Sequence, residues 1–193
     1  MVVNVAVEGE SDREAAKAVI KCVGHQVGKV VVAGGKTKLD PKIPGYCAAA
    51  RNDNWVVFRD SDGKCPVELR ATLGDALPTP PNSRFALRIA HSMTEAWLLA
   101  DTVGFSEFFH VKASQIPREP EKLAHAKQTV LDLCRNSRSR GIRGDLVAAG
   151  TKTGPLYVPR INEFAGTRWD VRAAAERSPS LARALIAIAD LPR

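Results

Sequence analysis

The segment VVNVAVEGESDREAAKAVI, residues 2–20, contains a strand, a tight turn and the start of a helix in direct succession. Its first part, VVNVAV (2–7), is a short run rich in β-branched residues, which is typical of a buried parallel strand. The run ends at Glu8 and Gly9. A strand followed at once by a turn and a helix is the opening half of a βαβ unit, so the segment predicts an α/β protein.

The helix after this turn is predicted from its N-terminal signal and its apolar stripe. Ser11 offers an N-cap oxygen and Glu14 follows three residues later, so the pair is interpreted as a capping box. The helix is expected to run from Asp12 to about Val23, with apolar residues at helical spacing along one face. Gly24 predicts its C-terminal stop.

Three more short apolar runs predict the remaining strands of a sheet. They are KVVVA (29–33), WVVFRD (55–60) and FALRIA (85–90). Helices are predicted at 44–51, 66–77 and 93–101, and the proline-rich segment PTPPNS (78–83) is predicted to be a loop. The expected fold class is therefore an α/β core over residues 1–110, with a mainly parallel, Rossmann-like sheet flanked by helices.

The rest of the chain, residues 111–193, is predicted to form a mainly helical C-terminal extension packed on that core. Helices are expected at about 120–134, 158–165, 170–176 and 178–190. A basic loop is expected from 135 to 143, and a glycine-containing loop, GTKTGP, at 150–155.

Length and composition are those of one globular domain with an extension. The chain has 193 residues, of which 45% are hydrophobic and 25% are charged. No apolar run approaches the roughly 20 residues needed to cross a bilayer. No signal peptide is recognised, and the four cysteines form no CxxC pair, so we expect reduced thiols and a cytoplasmic location.

The charge distribution allows a polyanionic partner. The net charge is +7 and the pI is near 9.5. Four arginines follow one another without an acid among them: Arg135, Arg138, Arg140 and Arg143. They predict either a surface that binds nucleic acid or an ordinary solvated basic loop, and charge alone does not separate the two.

Acidic residues follow the ends of two predicted strands. Glu8 follows the first strand, and Asp60 and Asp62 follow the third. The carboxyl ends of parallel strands meet at one edge of the sheet, where ligands bind. Carboxylates gathered there repel one another unless a cation intervenes, and oxygen ligands suit Mg²⁺ or Mn²⁺. Asp12 lies one helical turn after Glu8 and could reach the same ion. The alternative is that these acids only cap helices and fill turns.

These acids carry a resemblance to a known family. Glu8-Gly9-x-x-Asp12 after a strand, and Asp60-x-Asp62-Gly63 after a later strand, resemble the TOPRIM domain. That domain is shared by topoisomerases, DnaG-type primases and the overcoming-lysogenization-defect (OLD) nucleases. The resemblance covers about residues 2–75. It implies a TOPRIM-like fold in which Glu8, Asp60 and Asp62 are catalytic, metal-binding acids.

A second motif extends the resemblance over most of the chain. TEAWLLAD (94–101) resembles the E-x-WLLAD signature of small TOPRIM-like proteins related to the OLD nucleases. The segments GPLY (154–157) and SPSLARA (178–184) are also similar to the closing part of those proteins. The resemblance implies that Glu95 is a further catalytic and metal-binding acid and that Lys152 is a catalytic lysine. Those nucleases often have a glutamate where this chain has Asp12. Large OLD proteins also carry an ATPase domain, and none is recognised in this sequence, so the resemblance makes an ATPase protein a candidate partner.

Together the residues and the resemblance predict a metal-dependent nuclease, a phosphodiesterase acting on DNA or RNA, in a phage-defence or DNA-repair system. Two Mg²⁺ or Mn²⁺ ions are expected, one held by Glu8, Asp60 and Asp62, the second with the help of Asp12 and Glu95. The arginines of 135–143 would grip the nucleic-acid backbone. Two alternatives stay open: primase-like nucleotidyl transfer, and a non-catalytic metal- or nucleic-acid-binding regulatory module of a larger complex.

Other activities lack their sequence signals. The turn GGKT (34–37) is not a P-loop, because Val30 occupies the position of the first glycine. The four histidines show no HExxH spacing, and no GxSxG motif is present. A topoisomerase needs a nucleophilic tyrosine in a separate domain, and the chain offers only Tyr46 and Tyr157.

Overall fold

A parallel sheet of four strands lies at the centre of the structure, a computed structural model that describes residues 1–148 and 152–192. The strands are β1 (Val2–Val7), β2 (Gln26–Val32), β3 (Asn54–Asp60) and β4 (Phe85–Ala90). Their order across the sheet is β2-β1-β3-β4, and every neighbouring pair is parallel. The prediction of an α/β fold with a parallel, Rossmann-like sheet flanked by helices is confirmed.

The register brings the acid-bearing strand ends to one edge of the sheet. Ala6 of β1 pairs with Val57 of β3, and Asp60 at the end of β3 pairs with Ala90 at the end of β4. Since all strands run in the same direction, the residues that follow β1, β3 and β4 emerge side by side. The sheet therefore presents Glu8, Asp60 and the start of the next helix at a common edge.

Eleven helices follow or connect the strands within the described residues. They are α1 (Arg13–Cys22), α2 (Lys36–Leu39), α3 (Ile43–Ala49), α4 (Pro66–Gly74), α5 (Thr94–Ala100), α6 (Thr102–Phe108), α7 (Ala126–Arg135), α8 (Arg140–Leu146), α9 (Tyr157–Thr167), α10 (Val171–Arg177) and α11 (Pro179–Ala189). Short 3-10 turns occupy Glu10–Asp12, Asp40–Lys42, Ala113–Gln115 and Pro120–Lys122.

Both faces of the sheet are covered, which explains why its central strands are apolar on both sides. Val5 and Val7 of β1 belong to a hydrophobic cluster shared with α1, α5 and the C-terminal helices. Ala6, between them, belongs to a second cluster on the opposite face, together with Leu39 and Leu69. This alternation follows the pleat of the strand. All seven residues of β3 are buried, so Asp60 emerges from the interior of the protein.

The predicted capping box at Ser11 and Glu14 is wrong. Gly9 is the N-cap of a 3-10 turn, and the Asp12 carboxylate accepts its backbone N–H at 2.8 Å. α1 begins only at Arg13, and Glu14 pairs with Lys17 at 2.6 Å. The cap lies two residues earlier than predicted because a 3-10 turn precedes the helix. Gly24 does end the helix as predicted, with a φ of +81°.

The helix predicted at 120–134 is interrupted. Pro120–Lys122 is a 3-10 turn, and α7 begins only at Ala126. The buried Glu121 carboxylate accepts the backbone N–H of Ser180 at 2.9 Å and its hydroxyl at 2.6 Å. These bonds hold the segment against the start of α11, so it does not continue into α7.

The basic segment predicted as a loop is partly helical. Arg135 ends α7, and Arg140 begins α8, whose first turn is capped by the Ser139 hydroxyl. Helix α6 was not predicted at all. Its N-cap is Asp101, which accepts the N–H of Gly104 at 2.9 Å. Of the predicted loop 150–155, residues 150 and 151 lie outside the described residues.

The C-terminal helices share a hydrophobic cluster with β1, α1 and α5. The division into a core at 1–110 and an extension at 111–193 stays a prediction. Within residues 1–148 and 152–192 no helix has the length and apolar character needed to cross a membrane. The four cysteines are free thiols.

Candidate functional site

The turn after β1 positions two carboxylates. The carbonyl of Glu8 accepts the backbone N–H groups of Gly34 at 3.0 Å and Gly35 at 2.9 Å, which joins this turn to the one after β2. Asp12 is buried at the end of the 3-10 turn, where its carboxylate holds the N–H of Gly9. The segment EGESD thus presents one partly exposed and one buried acid at the same edge.

Asp60 is anchored to the start of α5. Its Oδ1 accepts both the backbone N–H and the hydroxyl of Thr94, each at 2.9 Å. Thr94 is the first residue of α5, so the same contact fixes where Glu95 lies. The predicted association of the Asp60 motif with TEAWLLAD is thereby a direct hydrogen-bonded contact between β3 and α5.

Glu95 is buried and held by a residue from the C-terminal half of the chain. The hydroxyl of Tyr157, at the start of α9, donates to Oε1 of Glu95 at 2.9 Å. Both residues are buried. The ammonium of Lys127 lies 4.8 Å from the centre of the Tyr157 ring. α9 therefore contacts this carboxylate of α5 directly, and α7 contacts the Tyr157 ring.

The carboxylates lie close enough together to perturb one another. Burial raises the pKa of Asp12 to about 7, and the charges of Glu95 and Glu8 add to the effect. Burial also raises the pKa of Asp60 well above its usual range, with further contributions from Asp12 and Glu95. The pKa of Glu8 is raised by burial as well, against the opposing guanidinium of Arg59. The site concentrates negative charge in a poorly solvated place.

Arg59 is a buried cation beside these acids, and its side chain is only 4% exposed. Its guanidinium lies 2.9 Å from Asp40, 3.0 Å from Asp62 and 3.2 Å from Glu8. Nη1 carries two hydrogens, which it donates to the carbonyl of Asp60 and to the carboxylate of Asp62. The buried Oε2 of Glu8 lies 3.2 Å from Nη1, and among the described residues it has no hydrogen-bond partner.

Asp62 lies beside cations in this arrangement. It has a φ of +51°, and Gly63 follows with a φ of +78°, so the chain turns sharply behind Asp60. Its carboxylate contacts Arg59 and also the ammonium of Lys36 at 2.9 Å. The turn that the sequence suggested is therefore present, and it presents Asp62 to this pair of cations.

The carboxylate oxygens at this edge are of the kind that binds Mg²⁺ or Mn²⁺, although they do not surround a common point where an ion could lie. The acids contribute hard oxygen donors, and one of them, Glu8, has a buried oxygen without a hydrogen-bond partner. Among the described residues, however, no three His, Cys, Asp or Glu side chains are arranged so that they could hold a metal ion. A cation would have to draw Glu8 and its neighbours together.

The other predicted site residues lie apart from this set of contacts. Lys152 is exposed, and its side chain makes no hydrogen bond or ion pair with the residues described here. Arg135 pairs with Asp132 at 2.6 Å, and Arg143 donates to the carbonyl of Ser137. Arg138 and Arg140 are exposed. The structure thus places Glu8, Asp12, Asp60, Asp62 and Glu95 at one edge of the sheet, within electrostatic reach of one another but not around a common ion, and it leaves Lys152 and the arginines outside this set.

Sequence reasoning missed three residues that contact the acids, Lys36, Arg59 and Tyr157, and also Lys127, which contacts the ring of Tyr157. Arg59 had a detectable signal, since an arginine inside the buried run WVVFRD needs a partner. Tyr157 is separated from Glu95 by 62 residues. No pattern in one sequence connects two residues so far apart.

Comparisons with known proteins add a weak structural similarity. No family model matches the chain, and no curated protein matches it significantly. Similar solved structures are of the C-terminal region of the Xanthomonas campestris pv. campestris OLD protein, phased with iodine and with mercury. The identities are 16% and 15%, each alignment covers 97% of this chain and 94% of the other, and both TM-scores are 0.41. At that similarity we take no functional conclusion from them.

Proposed function

We propose that this protein is a metal-dependent phosphodiesterase that cleaves nucleic acid. One observation carries the proposal: Glu8, Asp12, Asp60 and Glu95 interact electrostatically at the carboxyl edge of a parallel sheet, where burial raises the pKa of Glu8, of Asp12 and of Asp60. A protein gains nothing in stability from such a cluster, because each buried carboxylate without a cation costs free energy. The cluster is explained if a divalent cation compensates it.

Each acid has a distinct part in this proposal. Glu8 and Asp60 would hold Mg²⁺ or Mn²⁺, and Asp62, which contacts Lys36 at 2.9 Å, would complete this ligand set. Asp12 and Glu95 complete the set and allow a second ion. Bound there, such ions lower the pKa of a water and offset charge on a phosphodiester. Tyr157 orients Glu95 through its hydroxyl, and Arg59 positions Glu8.

The nucleic acid would be held by positive charge outside the acidic cluster. Arg138 and Arg140 are exposed on either side of the N-cap of α8. α8 packs on α9, which carries Tyr157. Backbone contacts from such arginines are independent of sequence and weaken with added salt. The net charge of +7 favours the same partner.

The test is cleavage of supercoiled plasmid and of labelled single-stranded DNA and RNA, with Mn²⁺, with Mg²⁺ and with EDTA. Wild-type protein is expected to cleave at least one substrate only when a divalent cation is present. Asp60→Asn removes a charge but can keep the contact with Thr94, and it should abolish cleavage. Asp132→Asn, which alters an exposed carboxylate on α7, is the matched control and should cleave like the wild type.

One observation favours a second candidate, a non-catalytic regulatory module. Arg59 already occupies the space between Glu8 and Asp62, where it acts as an internal cation. If it stays there, the acids need no metal and the site serves to bind a partner. Calorimetric titration with Mn²⁺ and the cleavage assay together separate the candidates: the nuclease binds the ion and cleaves, and Asp60→Asn does neither, whereas the module cleaves nothing whether or not it binds the ion.

A further inference from the structure

Three arginines surround a cavity of about 660 Å³ at the free edge of the sheet. β4 is an edge strand in the described structure, since only β3 pairs with it. Arg88 projects from β4, Arg70 from α4 and Arg183 from α11. Pro66, Val67 and Ile89 form an apolar wall beside them. The cavity therefore combines a cationic side with an apolar side.

Arg88 has no partner in this cavity. Its Nε is buried and makes no hydrogen bond. In the described residues none of Arg70, Arg88 and Arg183 forms an ion pair or a side-chain hydrogen bond. Asp190 lines the neighbouring cavity together with Arg70 and Arg88 but makes no ion pair with either. Arg70 and Arg183 are exposed and Arg88 is half-buried, so among the three it is the buried Nε of Arg88 that an anion in the cavity would satisfy.

Among the described residues, no carboxylate compensates the positive charge of these three arginines. Burial and the positive charges of Arg70 and Arg183 together lower the pKa of Arg88 to about 10, with burial the largest cause. No carboxylate counters this effect. Arg88 still carries its charge at neutral pH, at a cost in free energy that an anion in the cavity would relieve.

A purely structural explanation accounts for less. Charged side chains on an edge strand prevent another strand from pairing with it. Protection of the edge strand requires only exposed charges, and one or two of them are enough. It does not require a guanidinium whose Nε is withdrawn from water, nor two more arginines from separate helices directed at the same cavity.

We propose that this cavity binds the phosphate group of a nucleotide unit, with the sugar or base against the apolar wall. Arginine forks match phosphate oxygens, and three of them can surround one phosphate. Val67 is 75% exposed, so it offers an apolar surface that a nucleoside would cover. This site is separate from the acidic cluster, and it binds its ligand whether or not the acids cleave anything.

Its place in the sheet relates it to the acidic edge. Arg88 pairs with Phe58, and Ala90 pairs with Asp60. Arg88 therefore lies two residues before the carboxyl end of β4, on the same face of the sheet as Asp60. Two residues of strand correspond to about 7 Å. A chain of nucleotides bound at Arg88 could therefore continue towards the acids.

The test uses the full chain in EDTA, with thymidine 5′-monophosphate and inorganic phosphate as the probes in calorimetric titrations. Wild-type protein should bind one thymidine 5′-monophosphate, and more tightly than phosphate. Arg88→Met keeps the apolar stem, and Arg183→Gln changes only a residue on the surface of α11; each should weaken binding at least tenfold. Asp60→Asn should bind like the wild type, which separates this site from the proposed nuclease site.

Three outcomes would overturn the proposal. The first is that wild-type protein binds neither probe. The second is that Arg183→Gln and a folded Arg88→Met bind as tightly as the wild type. The third is that phosphate binds as tightly as the nucleotide, since the apolar wall would then contact nothing. If Arg88→Met does not fold, Arg183→Gln decides alone.

Discussion

The hydroxyl of Tyr157 donates a hydrogen bond of 2.9 Å to Oε1 of Glu95, and both residues are buried. The bond joins the first turn of α9 to the first turn of α5. Since Thr94, the residue before Glu95, holds Asp60, the position of α9 is coupled to the acids at the end of β3. A residue of the C-terminal half thus orients a carboxylate of the sheet edge.

We expect Tyr157→Phe to lower both cleavage and stability. The change removes the donor but leaves the ring, so Glu95 is buried without this partner at a cost of about 2 kcal/mol. Chemical denaturation should show that loss, and the cleavage rate with Mn²⁺ should fall at least tenfold because Glu95 is no longer oriented. Tyr46→Phe is the control, because Tyr46 stacks on Trp55 outside the site. Equal cleavage by both variants would contradict a role in cleavage for the Glu95 carboxylate that Tyr157 orients.

The stability of the metal-free protein should depend on pH in a defined direction. The pKa of Asp12 is raised to about 7, against about 3.9 in an unfolded chain. The folded protein therefore holds this proton more tightly than the unfolded chain does. That stabilisation is fully present below about pH 4 and is lost as the pH rises to about 7. Asp60 acts in the same direction.

Melting temperatures in EDTA between pH 5 and 8.5 measure this loss. Addition of Mn²⁺ should restore stability, and the gain should increase with pH because the ionised acids bind the ion. Asp12→Asn should flatten the pH profile, while Asp132→Asn should follow the wild type. A wild-type profile that rises towards pH 8 in EDTA would contradict the assigned charge cluster.

Removal of Arg59 should destabilise the protein strongly. Its guanidinium is buried between Glu8, Asp40 and Asp62. Arg59→Met leaves these carboxylates without their cation, and loss of one partner of a buried ion pair costs about 3–5 kcal/mol. Urea denaturation should show that loss of stability. Mn²⁺ should then stabilise Arg59→Met more than it stabilises the wild type, because the ion replaces the missing guanidinium charge. Arg135→Met, at an exposed pair, should change stability by less than about 1 kcal/mol.

Lys152 is tested by its effect on rate alone. The resemblance predicts a catalytic role for it, while the structure gives it an exposed position without side-chain partners among the described residues. Lys152→Ala should therefore leave the melting temperature unchanged and lower the cleavage rate at least tenfold. If the rate is also unchanged, Lys36→Ala and Lys127→Ala are the next variants, since these lysines contact the residues around the acids.

The strands and the acidic edge could be predicted because they depend on local patterns. β1, β3 and β4 are short apolar runs, and Glu8 and Asp60 lie at their ends. The packing of Glu95 on Tyr157 and the bridge from Arg59 to Asp40 could not be predicted, since each depends on where distant segments meet. The start of α7 was misplaced for a similar reason: Glu121 is held by Ser180, which lies 59 residues away.

The central claim is that the acids at the ends of β1 and β3 bind a divalent cation. A crystal structure of the protein soaked in Mn²⁺, with anomalous data, tests it most directly. The account predicts an anomalous peak within about 2.5 Å of carboxylate oxygens of Glu8 and Asp60, with Asp62 turned away from Lys36. A structure without that peak, in which Arg59 still lies between Glu8 and Asp62, would contradict it.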